Sequence, residues 1–237
     1  MLKFIAKGFL FLTLITFPAF TQTQNVISRY NETDKLIVNC SKSENPGVYC
    51  VLLFLNEAEE SKEKKAYTEA LHYLDQAISI HPDLDAYMEK GLMLLEHTNK
   101  SQEAIDCFQK VIAQHPKNFY AWYYSGIAYE KMKDFENAER VLVKALDIDP
   151  SSAVAHTYIG MIWCEMGRRE EAMKAFNMAI QYDPNYVTSY LCRGFVNTII
   201  GNYKGALDDY LNAKSLNPHR TAEINELIMN LFKIIDE

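Results

Sequence analysis

No basic excess marks this sequence: Lys and Arg total 24 against 31 Asp and Glu. A nucleic-acid duplex would meet repulsion over most of the surface rather than a basic footprint, so nucleic acid is not an expected partner. The apolar run near the start, Gly8 to Phe17, falls well short of the roughly 20 residues a membrane span needs. No Cys/His cluster has metal-ligand spacing, and His156 and Cys164 lie two helical turns apart, so zinc is not expected. Nucleophile elbow, phosphate loop and metal motif are all missing. The acidic pairs Glu170-Glu171 and Asp208-Asp209 read as solvated helix faces. The expectation is a non-enzymatic protein with no cofactor.

What is present begins with an address. Lys3 and Lys7 precede the apolar run, and Pro18 with small or hydroxylated residues follows it. That order reads as a secretory signal peptide, residues 1–21, cleaved near Thr21 or Gln22. Without it, 22 basic residues face 31 acidic ones, a net charge of −9. We expect an exported acidic chain, periplasmic or secreted if the source is bacterial, touching a membrane only transiently through its signal peptide.

Export brings an oxidising compartment, where five cysteines matter: Cys40, Cys50, Cys107, Cys164 and Cys192. Residues 22–50 show no sustained period and are expected to form an extended or loosely ordered arm. Within it, Asn45-Pro46-Gly47 is a turn signal that brings Cys40 towards Cys50. The loop admits a Cys40–Cys50 disulfide, with two unpaired thiols as the alternative. The other three cysteines are expected as small apolar core residues.

The strongest signal is an internal repeat. Pro82, Pro116, Pro150, Pro184 and Pro218 recur at one constant interval. An alanine precedes each proline by twelve residues, at Ala70, Ala104, Ala138, Ala172 and Ala206. Gly126, Gly160 and Gly194 follow a proline by ten residues, and Gly91 by nine. Small residues at fixed places let two antiparallel helices approach closely, and larger apolar residues fill the seam between them. Proline ends each pair because it lacks an N–H and restricts its predecessor. Gly167 and Gly201 suit the tight turn between helices, a turn that in the first unit, "SKEKKAY", has no glycine.

These residues resemble the tetratricopeptide repeat. Trp122, Gly126, Tyr129, Ala138, Leu142, Ala145 and Pro150 carry its pattern, as do Ile159, Gly160, Trp163, Ala172, Phe176, Ala179 and Pro184. The fifth unit has Tyr190, Gly194, Ala206, Tyr210, Ala213 and Pro218. Five repeats are expected, at 51–84, 85–118, 119–152, 153–186 and 187–220, the second with its link one residue shorter and its turn one longer. A capping helix over 221–237 closes the stack, burying Ile224, Leu227, Ile228, Leu231 and Ile235. The resemblance implies an all-α fold, a right-handed α-solenoid of helix-turn-helix repeats whose first helices line a concave groove.

Within "FYAWYYSGIAY", Ala121, Trp122, Ser125, Gly126, Ala128 and Tyr129 take packing positions of the repeat. Tyr120, Tyr123, Tyr124 and Ile127 form the stripe left for the groove. Thr157, Tyr158 and Met161 occupy the matching places in the fourth unit, Leu191 and Phe195 in the fifth, and Met88 and Leu92 in the second. A tyrosine-rich apolar stripe suits a protein or peptide partner in an extended or helical conformation. Its alternative is a groove filled by the chain's own arm or by side chains packed across it, and a second reading of the whole is a structural subunit of an envelope assembly. The carboxylate clamp of some relatives is missing, because its places hold tyrosine, isoleucine, threonine and methionine. Arg193 and Asn197 depart from the usual leucine and tyrosine and are expected to be solvated.

Overall fold

The computed structural model describes residues 46–80, 82 and 84–236. The signal peptide, Cys40 and the arm up to residue 45 lie outside the described residues, as does the side chain of Cys50. Two compact units divide near Pro82.

The first unit is a helical hairpin of α1 (Pro46–Glu63) and α2 (Tyr67–Ile80). The arm was expected to reach residue 50, but the chain is helical from Pro46 onward. Proline suits that first position, since its missing N–H would have no partner there and its φ is already helical. Leu55 and Ala58 of α1 bury against Ala70, Leu74 and Ala77 of α2. Lys65 turns the chain between them at φ +60°.

The second unit repeats that hairpin four times, as α3 (Leu84–His97) with α4 (Ser101–Gln114), α5 (Phe119–Lys131) with α6 (Phe135–Ile148), α7 (Ala153–Glu165) with α8 (Arg169–Tyr182), and α9 (Val187–Ile199) with α10 (Tyr203–Leu216). A 3₁₀ turn (Pro218–Arg220) leads to α11 (Thr221–Asp236), which packs on α10. No strand occurs among the described residues. This is an all-α solenoid of helix-turn-helix units with a C-terminal capping helix. First helices also touch from one repeat to the next, α3 to α5, α5 to α7 and α7 to α9.

The constant spacing follows from the packing. Each first helix of the second unit presents a glycine to a large side chain on its partner, and a Cβ added at Gly160 would meet Phe176 at 2.6 Å. Phe108, Leu142 and Phe176 are fully buried in this way. The links are tied by their prolines: Trp122 Nε1 donates to the Pro116 carbonyl at 2.8 Å. His156, at the same place one repeat on, sets Nε2 at 2.9 Å from the Pro150 carbonyl. A carbonyl only accepts, so this nitrogen carries the proton. Asn118 and Ser152 then cap α5 and α7 by accepting from the N–H three residues on.

Gly167 and Gly201 turn the third and fourth hairpins of this unit at φ +78° and +79°, and Lys133 takes the same place at +59°. Glycine is thus preferred there but not required. The turn of the second repeat was expected to be a residue longer. Instead residues 98–100 match the other turns in length, and α3 is one residue longer than α5, α7 or α9. An extra residue costs least where it adds a backbone hydrogen bond to an existing helix.

Candidate functional site

An aromatic layer runs along the first helices. Phe119 stacks on Tyr123 with ring centres 5.8 Å apart and planes 9° apart. Tyr123 meets Tyr158 of the next repeat edge to face at 5.2 Å, and Tyr124 at 5.2 Å. Tyr124 in turn stacks on Phe108 at 6.0 Å and on Tyr120 at 6.3 Å. Offset and edge contacts of this kind add roughly 0.5–1.5 kcal/mol each beyond the area buried.

The predicted stripe is thus mostly an inner layer rather than an open surface. Tyr123 and Tyr124 are buried, as are Ile127, Thr157, Met161 and Leu191. Met88, Leu92, Tyr158 and Phe195 are half-buried, and Tyr120 is open at 42 % exposure. Tyr123, Thr157 and Leu191 share one position of the repeat register, and that position is buried three times over. Neighbouring first helices meet there. Thr157 Oγ1 lies 2.7 Å from Ser189 Oγ on the next first helix, just as Tyr123 meets Tyr158. Conversely Trp122, assigned to packing, is only half-buried. It lines a cavity of about 260 Å³ with Ile105, Tyr129 and Val141.

Burial holds these phenols in their neutral form. It pushes Tyr123 well above the ordinary value, with Tyr158, Tyr186 and Tyr124 adding to the shift. Tyr158 is raised by burial first and then by Tyr186 and Glu130. Tyr186 is pushed up to about 12 by burial. The Tyr123 hydroxyl is buried and makes no full hydrogen bond; Tyr158's hydroxyl is the group that acts on it. Beyond the rings, Glu130 is also raised, by burial and then by Glu165. Glu165 is raised by burial in its turn.

Arg193 and Asn197 are not solvated as expected. Arg193 Nη2 donates to Asp209 Oδ1 at 2.6 Å, and its Nε sits 3.1–3.2 Å from both carboxylate oxygens. Arg193 Nη1 reaches Asn177 on α8 at 2.6 Å, and its guanidinium lies 5.8 Å from the Tyr190 ring centre. Asn197 donates from Nδ2 to Asp209 Oδ2 at 3.0 Å, and its Oδ1 accepts from Asn202 Nδ2 at 2.9 Å. Asp209, read as half of a solvated acidic pair, is 2 % exposed. A polar group enters a core only when paired, and this network joins α8, α9 and α10. A smaller one joins α6 to the third hairpin: Glu139 accepts from Trp163 Nε1 at 2.7 Å and from Arg168 at 2.8 and 3.0 Å.

Cys107 and Cys192 are buried and Cys164 is half-buried. Burial pushes the Cys164 thiol up to about 12, so it stays protonated and weakly reactive. Among the described residues no three His, Cys, Asp or Glu gather as metal ligands, and no helix is long and apolar enough to cross a membrane.

Two family models of the tetratricopeptide repeat match, one over residues 97–153 and the other over residues 131–190. The helical pairs within residues 97–190 are tetratricopeptide repeats. A TPR repeat-containing protein of Methanocaldococcus jannaschii is 24 % identical over 70 % of this chain. The match spans 31 % of that relative's length. Among solved structures, MamA from Desulfovibrio magneticus RS-1 matches with TM-score 0.63 and 24 % identity, over 70 % of this chain and 94 % of its own. A tetratricopeptide repeat protein from Parabacteroides merdae gives TM-score 0.68 at 17 % identity, over 79 % and 74 %. At such identities the likeness is one of fold. The tetratricopeptide-repeat fold supports a scaffold role in protein–protein interaction.

Proposed function

We propose that this tetratricopeptide-repeat protein is exported and holds an extended or helical segment of a partner protein along the aromatic layer of its first helices. The observation that carries the reading is Tyr120, 42 % exposed over rings already fixed by Phe119 and Tyr124. A rigid ring that needs no reorganisation loses little entropy on binding, and its hydroxyl supplies a polar contact. Tyr158 and Phe195, half-buried beside it along the stripe, extend the platform, and Met88 and Leu92 continue it towards α3. The buried Tyr123 and Tyr124 support the surface from beneath. The chemistry is one of binding, with no catalytic group, cofactor or nucleic acid.

The test uses Tyr120→Ala and Tyr158→Ala in chains recovered from the compartment to which the signal peptide directs them. Loss of a stoichiometric partner with unchanged helical content is expected. Undiminished recovery of the same partner would remove the aromatic face from the proposal. Export is checked separately by sequencing the N-terminus of the recovered chain, expected near Thr21 or Gln22; an N-terminus at Met1 in a cytosolic fraction would overturn it.

A further inference from the structure

A capping helix ends a solenoid by burying one face and showing water a polar other. Here α11 buries Ile224 and Leu231, with Leu227 and Ile228 half-covered. Its outward side is apolar as well. Met229 is 57 % exposed and Phe232 49 %, one turn apart, and Ile235 is 47 % exposed at the helix end. Ile235 was expected on the buried face and stands exposed instead.

We propose that this stripe is the contact surface for a second copy of the same chain, through an antiparallel two-fold pairing of α11 with α11. Charge placement carries the pairing. Glu226 and Lys233 are exposed and flank one side of the stripe seven residues apart, two helical turns. Neither makes an ion pair within the described residues. When two copies run antiparallel about a point between residues 229 and 230, each Glu226 stands level with Lys233 of the other copy. Met229 then meets Met229 of the second copy within one residue's rise, about 1.5 Å, and the two Phe232 rings close the contact at either side. A parallel pairing places the Glu226–Lys233 flank of each copy on opposite sides of the seam, where neither carboxylate meets a lysine of the other copy's flank. A two-fold contact uses the same patch on both copies and closes without forming a chain of molecules. It leaves the first helices of both copies unchanged and is independent of the partner proposed for them.

Sedimentation equilibrium of the purified chain over a range of concentrations tests this. A reversible dimer is expected, with Phe232→Glu raising the dissociation constant at least tenfold and, at concentrations where the chain is monomeric, leaving the melting temperature unchanged, since the side chain is half-exposed. Glu226→Lys alone and Lys233→Glu alone should each weaken the dimer, because like charges then oppose one another. An equimolar mixture of those two variants should recover it, because every facing pair is then of opposite sign. A monomer at all concentrations up to about 0.1 mM, where a homodimer with a dissociation constant of about 10 μM is mostly assembled, would overturn the proposal and leave the stripe to a different protein or to residues 22–45. A dimer unaffected by Phe232→Glu, or a mixture that fails to recover, would overturn it equally.

Discussion

Replacing Asp209 by alanine is the sharpest perturbation of this fold. The Asp209 side chain is 3 % exposed and faces an Arg193 side chain that is 23 % exposed. Truncation removes the Arg193–Asp209 pair and the acceptor of Asn197 Nδ2. Arg193 then keeps only Asn177 and the Tyr190 ring. Breaking a buried pair on one side costs about 3–5 kcal/mol, because a desolvated charge is left behind. The partial exposure of Arg193 places this case at the low end, about 3 kcal/mol. For 150–250 residues each kcal/mol lowers the melting temperature by about 2–4 °C, so a fall of roughly 6–12 °C is expected. Circular dichroism reads the total. Hydrogen exchange locates it, with protection falling first in α9, α10 and α11, since stability in a repeat array is a sum of neighbour terms. Replacing both Arg193 and Asp209 by leucine should restore most of the loss, because an apolar pair needs no partner. A loss below about 1 kcal/mol for Asp209→Ala would refute the claim that this network is a buried joint.

Other expected outcomes bear on separate parts of the account. Lys133→Gly should stabilise by about 1–2 kcal/mol, the strain of a side chain in left-handed backbone, and Gly167→Ala should destabilise by the same amount; a urea titration of each measures both. A Cβ at Gly167 meets nothing within 4 Å, so backbone strain is the sole cause at that turn. Tyr123→Phe removes a buried hydroxyl that makes no full hydrogen bond, and chemical denaturation should show stability unchanged or higher by about 1 kcal/mol. Glu130 has its folded value raised above its ordinary 4.5. Between those two values the folded state holds more proton than the unfolded one, so this residue's contribution to stability falls as pH rises through the window. Glu130→Gln should therefore raise the melting temperature at neutral pH and flatten its dependence on pH from neutrality down to about 4.5.

The scaffold was legible because its determinants recur. A glycine opposite a large residue, a proline in each link and alanines in each seam are local demands, and each appears in several hairpins. Lys65 and Lys133 in left-handed turns show where that legibility stops, since glycine is favoured there without being needed. The burial of Tyr123, Thr157 and Leu191 depends on how closely neighbouring first helices approach, which one repeat does not encode. The polar network was hidden by reading Asp208-Asp209 as a pair. In the repeat register Asp209 holds the place taken in the preceding units by Ala175, Val141 and Cys107, all buried apolar residues. An acid in that slot, sixteen residues after an arginine in a leucine slot, was the available signal.

The claim that the aromatic layer grips a partner is tested most directly by a photo-activated cross-linker placed at Tyr120, with Val143 on the exposed side of α6 as the control position. A defined adduct is expected from Tyr120 alone, lost when Tyr158→Ala is combined with it. Equal adducts from both positions, or none from Tyr120, would contradict the account.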